Sequence, residues 1–107
     1  MLSGLRVTDI QIGTDTVAVA VRGSRVTVRY SARLNRGDVV QADVVATFKV
    51  GERNTIAGLS FGVEGMRVGG RRRLRVAPNL AYRTAGVPGL IPPNAMLVFE
   101  VELIAVG

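Results

Sequence analysis

Two runs of strict alternation restrict what this chain can fold into. In residues 25–34, Val26, Val28, Tyr30, Ala32 and Leu34 fall on one side and Arg25, Thr27, Arg29, Ser31 and Arg33 on the other. From Leu97 the pattern returns, with Leu97, Phe99, Val101 and Leu103 on one face and Glu100 and Glu102 among the residues on the other. A period of two is the spacing of a strand with one wet and one dry face, and such strands belong to antiparallel sheets covered on one side. Ahead of the second run lies a loop dense in turn residues, Gly86, Pro88, Gly89, Pro92 and Pro93, bracketed by Tyr82 and Phe99. A long loop that re-enters a strand is one way to build the wall of a binding pocket.

The remaining segments extend this picture. Residues 5–12 read as a first strand and 17–21 as a weaker extended stretch. After the turn Asn35-Arg36-Gly37-Asp38, residues 39–50 are apolar and β-branched, with Ala46, Phe48 and Val50 at period two. Over residues 54–66 the period changes, and Ile56, Leu59, Val63 and Met66 form one stripe of a short helix that Asn54 or Thr55 would cap. Gly58, Gly62 and Gly65 each cost about 1 kcal/mol relative to alanine in a helix interior, so this helix must be held by packing on a sheet. Gly69 and Gly70 turn the chain into residues 71–76, where Leu74 and Val76 share a face with Arg72, and Arg71, Arg73 and Arg75 share the other. With no βαβ rhythm, the expected fold is α+β: a five- to six-stranded, curved antiparallel sheet wrapping one short central helix, as a single domain over residues 1–107.

Composition then removes most chemistry. The chain has no cysteine and no histidine, and its eight carboxylates are scattered, which excludes the common nucleophilic triads, thiolate metal sites and clustered hard-metal sites. Neither a metal nor a cofactor is expected. The glycines at 62, 65, 69 and 70 do not follow a strand and open a helix, so they are not a phosphate cradle. No apolar run approaches the roughly 20 residues of a membrane span, and the start MLSG lacks the features of a signal peptide. The expectation is a soluble protein, cytoplasmic by default, with no membrane partner. Thirteen of the 14 basic residues are arginine and the formal charge is +6, which favours anionic partners at long range. Alternation nevertheless splits Arg71, Arg72, Arg73 and Arg75 between two faces, with no interleaved aromatic platform, so no nucleic-acid partner is expected.

A chain with a good core and neither nucleophile nor base points to binding, or to a reaction that needs neither. Rotation about an Xaa-Pro bond is one such reaction. Its barrier of about 18–20 kcal/mol is amide resonance, and a dry pocket shaped for the less polar, twisted amide lowers it by differential binding alone.

The motifs G-M-x-V-G-G-x-R-R-L, P-x-x-A-Y, G-x-P-G-x-I-P-P-N-A and L-x-F-x-V-E-L occur in this order within residues 58–106, after VTVRYSARLNRG at 26–37. In this the chain resembles the FKBP-type peptidyl-prolyl cis/trans isomerases, the tacrolimus- and rapamycin-binding immunophilins. The resemblance implies a pocket between helix and concave sheet. Tyr30, Phe48 and Phe99 match its aromatic wall, the backbone N–H of Ile56 and the hydroxyl of Tyr82 match donors to ligand carbonyls, and Ala81 and Ile91 match its apolar rim. Val40, Gln41, Thr55 and Leu59 are the other substrate-contact positions it implies. Proline-containing peptides or unfolded clients are the partners expected, with weak binding of tacrolimus- or rapamycin-type macrolides.

The departures from the family pattern have consequences. Leu59 stands where a tryptophan usually forms the pocket floor, and Phe61 points about 200° around the helix from it. Val40-Gln41-Ala42 replaces a usual Phe-Asp-Ser, with a shorter bulge after it, and Asp43 is not expected to take the aspartate's place. Ala46 occupies a position where an aromatic is common. The expectation is an isomerase slowed by one or more orders of magnitude; the alternative is a non-catalytic FKBP-like module that binds peptides or proteins.

Overall fold

The structure, a computed structural model, describes residues 4–13, 18–52, 56–81 and 85–107. Among the described residues, five strands form one antiparallel sheet: β1 (Leu5–Gln11), β2 (Arg25–Leu34), β3 (Val39–Lys49), β4 (Arg71–Val76) and β5 (Leu97–Val106). Their order is β1-β4-β5-β2-β3, so β5 lies at the centre with β4 and β2 on either side. The central strand is also among the most apolar, as burial on both flanks requires. Of the segment 17–21, the described residues 18–21 form no strand; Val19 makes a single bridge to Arg67.

Residues directly opposite in neighbouring antiparallel strands share a face, so the register builds rows across the sheet. One inner row reads Val7, Leu74, Phe99, Ala32, Gln41. The next reads Asp9, Arg72, Val101, Tyr30, Val44. These rows contribute much of the apolar core, and the single described α-helix lies against them.

That helix, α1 (Ala57–Gly62), is shorter than the apolar stripe over 54–66 predicts. Its N-cap is Ile56, which makes no side-chain cap; Asn54 and Thr55 lie outside the described residues. Leu59, Val63 and Met66 are all buried as the stripe implies, but the last two follow the helix. There the Gly65 N–H donates to the Ala20 carbonyl at 2.7 Å and the Ala20 N–H to that of Met66 at 2.8 Å, replacing helical bonds by pairing with the 18–20 segment. Gly58 and Gly62 also prove to be more than a cost. A Cβ on Gly58 would collide with the Val76 side chain and one on Gly62 with that of Leu74, so the two glycines let the helix rest directly on β4.

The other attachment of the helix is polar. Ser60 is fully buried; its hydroxyl accepts from the Gly51 N–H at 2.9 Å and donates to the Glu52 carbonyl at 2.9 Å, pinning α1 to the turn after β3. Ser60→Ala strands both backbone groups, and a stability loss of about 2 kcal/mol is expected, read as a lower urea midpoint at constant m-value.

Candidate functional site

Phe99 is where the inner face turns into a site. It lies fully buried on β5, with Leu74 opposite on β4 and Ala32 opposite on β2. Tyr30 meets its ring edge-on, with centroids 5.6 Å apart and planes at 80°, the favourable arrangement of two ring quadrupoles. From β3 comes Phe48, paired across the sheet with Val26; from the helix comes Leu59; from the loop before β5 comes Ile91. Tyr30, Phe48, Leu59, Ile91 and Phe99 belong to one apolar cluster, and Val40, Ile56 and Ala81 pack at its partly exposed margin. The structure thus brings together eight of the positions singled out in the sequence.

Gln41 joins them on the same face. It lies in the Phe99 row, beyond the small side chain of Ala32, and its Oε1 is buried with no hydrogen-bond partner among the described residues. Two register shifts in β3 around this point change which residues face inward. Asp43, at φ 50°, is turned to the other side of the sheet, where its N–H donates to the Ser31 hydroxyl and its neighbours are Arg29, Glu100 and Glu102. It does not take the place of a carboxylate in the pocket, as expected.

At the helix entrance, the Ile56 carbonyl accepts from the N–H groups of Leu59 and Ser60, while its own N–H donates to no described residue. Leu59 is completely buried beneath. Phe61 lies elsewhere, under the Arg22 guanidinium at 5.7 Å, and contributes nothing to the floor. Ile91 is fixed by reciprocal backbone bonds with Val87, both 2.8 Å, which close the Pro88-Gly89-Leu90 tip. Tyr82 and Thr55 lie outside the described residues.

The loop also borders an open groove of about 500 Å³, which Leu34 and Arg36 share with Ile91 and the prolines at 88, 92 and 93. Arg36 was not predictable there, because its placement depends on a long-range bond from the Asn35 N–H to the Met96 carbonyl. Among the described residues, no group of three His, Cys, Asp or Glu could hold a metal ion, and no helix is long and apolar enough to cross a membrane. What these residues form is an apolar cluster with the Gln41 amide on the same face and the Ile56 N–H at its partly exposed margin.

Known proteins are similar to this chain in sequence and in fold. The family model described as FKBP-type peptidyl-prolyl cis-trans isomerase matches residues 17–104. FK506-binding protein 4 of Dictyostelium discoideum is 39% identical over 105 residues, 96% of this chain and 28% of that protein. The 46 kDa FK506-binding nuclear protein of Spodoptera frugiperda is 38% identical over 94% of this chain and 25% of its own. The chain therefore spans about a quarter of the length of these curated relatives. Among solved structures, AtFKBP13 superposes with a TM-score of 0.86 at 31% identity, covering 98% of this chain and 94% of that one. A peptidyl-prolyl cis-trans isomerase from Pseudomonas syringae pv. tomato gives 0.80 at 34% identity, covering 98% of this chain and 77% of that one.

Proposed function

The chain belongs to the FKBP-type peptidyl-prolyl cis-trans isomerase family, and from that premise we propose that it accelerates rotation about Xaa-Pro bonds, without covalent chemistry and more slowly than ordinary members. The observation that supports this best is the apolar cluster around Phe99, which joins Tyr30, edge-on to it, to Phe48, Leu59 and Ile91, with Val40, Ile56 and Ala81 at its partly exposed margin. A proline ring fits against the wall of Tyr30, Phe48 and Phe99. The amide, twisted out of resonance, is less polar than the planar one and loses less on leaving water, so the apolar cluster favours the transition state over either ground state. The Ile56 N–H and the Tyr82 hydroxyl hold the carbonyls flanking the proline, and Val40, Thr55, Ala81 and Ile91 border the peptide. Proline-containing segments and unfolded chains are the clients, with weak affinity for tacrolimus- or rapamycin-type macrolides.

Two residues set the lower rate. Leu59 offers a smaller floor than an indole, worth about 1–3 kcal/mol of apolar contact. Gln41 presents a neutral acceptor where the family places a carboxylate, and charged hydrogen bonds are the stronger by about 1 kcal/mol or more. Each 1.36 kcal/mol that acts on the transition state is a factor of about ten.

Exchange NMR on Xaa-Pro peptides tests this. Turnover is expected to be measurable and at least about tenfold below ordinary members, and Gln41→Asp, alone or with Leu59→Trp, is expected to raise it by about tenfold. Wild-type turnover equal to that of ordinary members would contradict the slowing. If the wild type and both variants bind a proline peptide with no turnover at all, the chain is a binding module instead.

A further inference from the structure

The outer face of the sheet, opposite the pocket, collects nearly all of the molecule's surplus charge. On β4 the outward residues are Arg71, Arg73 and Arg75, and Arg6 of β1 lies beside Arg75. On β2 they include Arg25, Arg29 and Arg33, and Lys49 of β3 lies beside Arg25. Against these eight cations stand three carboxylates, Glu100, Glu102 and Asp43. The surplus of five is most of the chain's formal +6. Only two of the eight form ion pairs among the described residues, Arg73 with Glu100 at 3.1 Å and Arg29 with Glu102 at 4.0 Å.

The charges are arranged in stripes. The β4 and β2 cations run along their strands on either side of β5, about 10 Å apart, since each strand spacing is about 4.8 Å. The β2 stripe, from Arg25 to Arg33, is about 27 Å long at about 3.4 Å per residue. Between the stripes lie Glu100 and Glu102. We propose that this face binds the backbone of double-stranded nucleic acid without regard to sequence, each stripe against one of the two phosphate chains that border a groove.

Four features select that occupant. Two cationic rows fit two phosphate chains, whereas a single acidic peptide laid along the face would meet the Glu100 and Glu102 carboxylates between the rows. In a duplex those carboxylates face the groove rather than the phosphates. The aromatic residues of the five strands, Tyr30, Phe48 and Phe99, all belong to the inner face, so single-stranded bases find no stacking platform. The outer face of a sheet also puts no element into a groove, and backbone contacts carry no sequence information. Arginine, which makes up almost all of the basic residues, matches phosphate with a planar fork of donors.

Fluorescence anisotropy of the intact chain with a short random-sequence DNA duplex tests the assignment between about 50 and 200 mM salt. Arg25→Gln/Arg71→Gln/Arg75→Gln is compared with Arg22→Gln/Arg36→Gln/Arg67→Gln, which removes the same charge from exposed arginines elsewhere. The expected result is a steep salt dependence for the wild type. The outer-face variant is expected to bind at least about tenfold more weakly, with a log–log slope shallower by about 2–3, at about 0.9 per lost phosphate contact. The comparison variant is expected to stay within about threefold of the wild type. Chemical shifts of core amides verify that both variants are folded. Equal weakening in the two variants would reduce the effect to net charge. Absence of binding at the lowest salt, or tighter binding of a single strand or of polyglutamate, would equally overturn the proposal. None of these outcomes depends on proline turnover in the pocket.

Discussion

Phe99→Ala is expected to lower the folding stability by about 3–5 kcal/mol, the range for an aromatic removed from a packed core. The position gives it little chance to relax. Phe99 lies on the central strand, wholly buried, with Leu74 and Ala32 opposite on the neighbouring strands. Ala32 is too small to fill the gap, and Tyr30 loses its edge-on partner, worth about 0.5–1.5 kcal/mol beyond area burial. A domain of about 100 residues loses roughly 4–8 °C of Tm per kcal/mol, so the variant melts well below the wild type and populates the unfolded state visibly. Urea denaturation measures the loss, and a change below about 1 kcal/mol would show that the core around Phe99 collapses freely into the space left by the ring. Phe99→Leu separates the roles of this side chain: it retains much of the volume and should fold, while removing the ring from the proposed proline wall, so its effect on turnover should exceed its effect on stability.

Much of this was legible in the sequence because burial imprints a period on a strand. Residues 25–34 alternate without a break and form a strand with those same limits, because one of its faces lies wholly against the core. The helix was less readable: its apolar stripe runs on through Val63 and Met66, but bonds to Ala20, remote in sequence, end it at Gly62. Gly58 and Gly62 appeared only as local costs, because their use depends on Val76 and Leu74 crossing beneath. At the site, the inward placement of Gln41 follows from register shifts in β3 that its own sequence does not announce. The basic face was hidden for a similar reason. Alternation within residues 71–76 correctly separates Arg72 from its neighbours, but only strand order shows that Arg71, Arg73 and Arg75 share a face with arginines of β1 and β2.

Arg72, the arginine that points inward, gives the second large effect: Arg72→Met is expected to destabilise the fold by about 3 kcal/mol, on the scale of lost hydrogen bonds from a charged donor. Its side chain is only 14% exposed. Nε donates to Asp9 Oδ1 at 2.7 Å, and Nη1 donates to the carbonyls of Gly62 at 2.9 Å and Glu64 at 2.7 Å. The last carbonyls of a helix have no intrahelical donor, and a cation there also meets the negative end of the dipole. Methionine keeps the apolar stem but supplies no donor, so the cost isolates the guanidinium. Of its partners, the carbonyls should matter more than Asp9, which is 44% exposed and therefore screened; Asp9→Asn is expected to cost no more than about 1 kcal/mol. Arg72→Lys, with a single point charge unable to serve three acceptors in different directions, should fall between the wild type and methionine. Amide exchange supplies the local readout: in Arg72→Met the Leu59 and Ser60 N–H groups, both bonded to the Ile56 carbonyl, are expected to lose protection beyond the global loss. If Asp9→Asn reproduced the whole destabilisation, the ion pair and not the capping of the helix end would hold the helix in place. Because α1 supplies Leu59 and has Ile56 as its N-cap, a helix loosened at Gly62 shifts the floor of the proposed site and displaces its backbone donor, so turnover should fall further than the loss of folded protein alone accounts for.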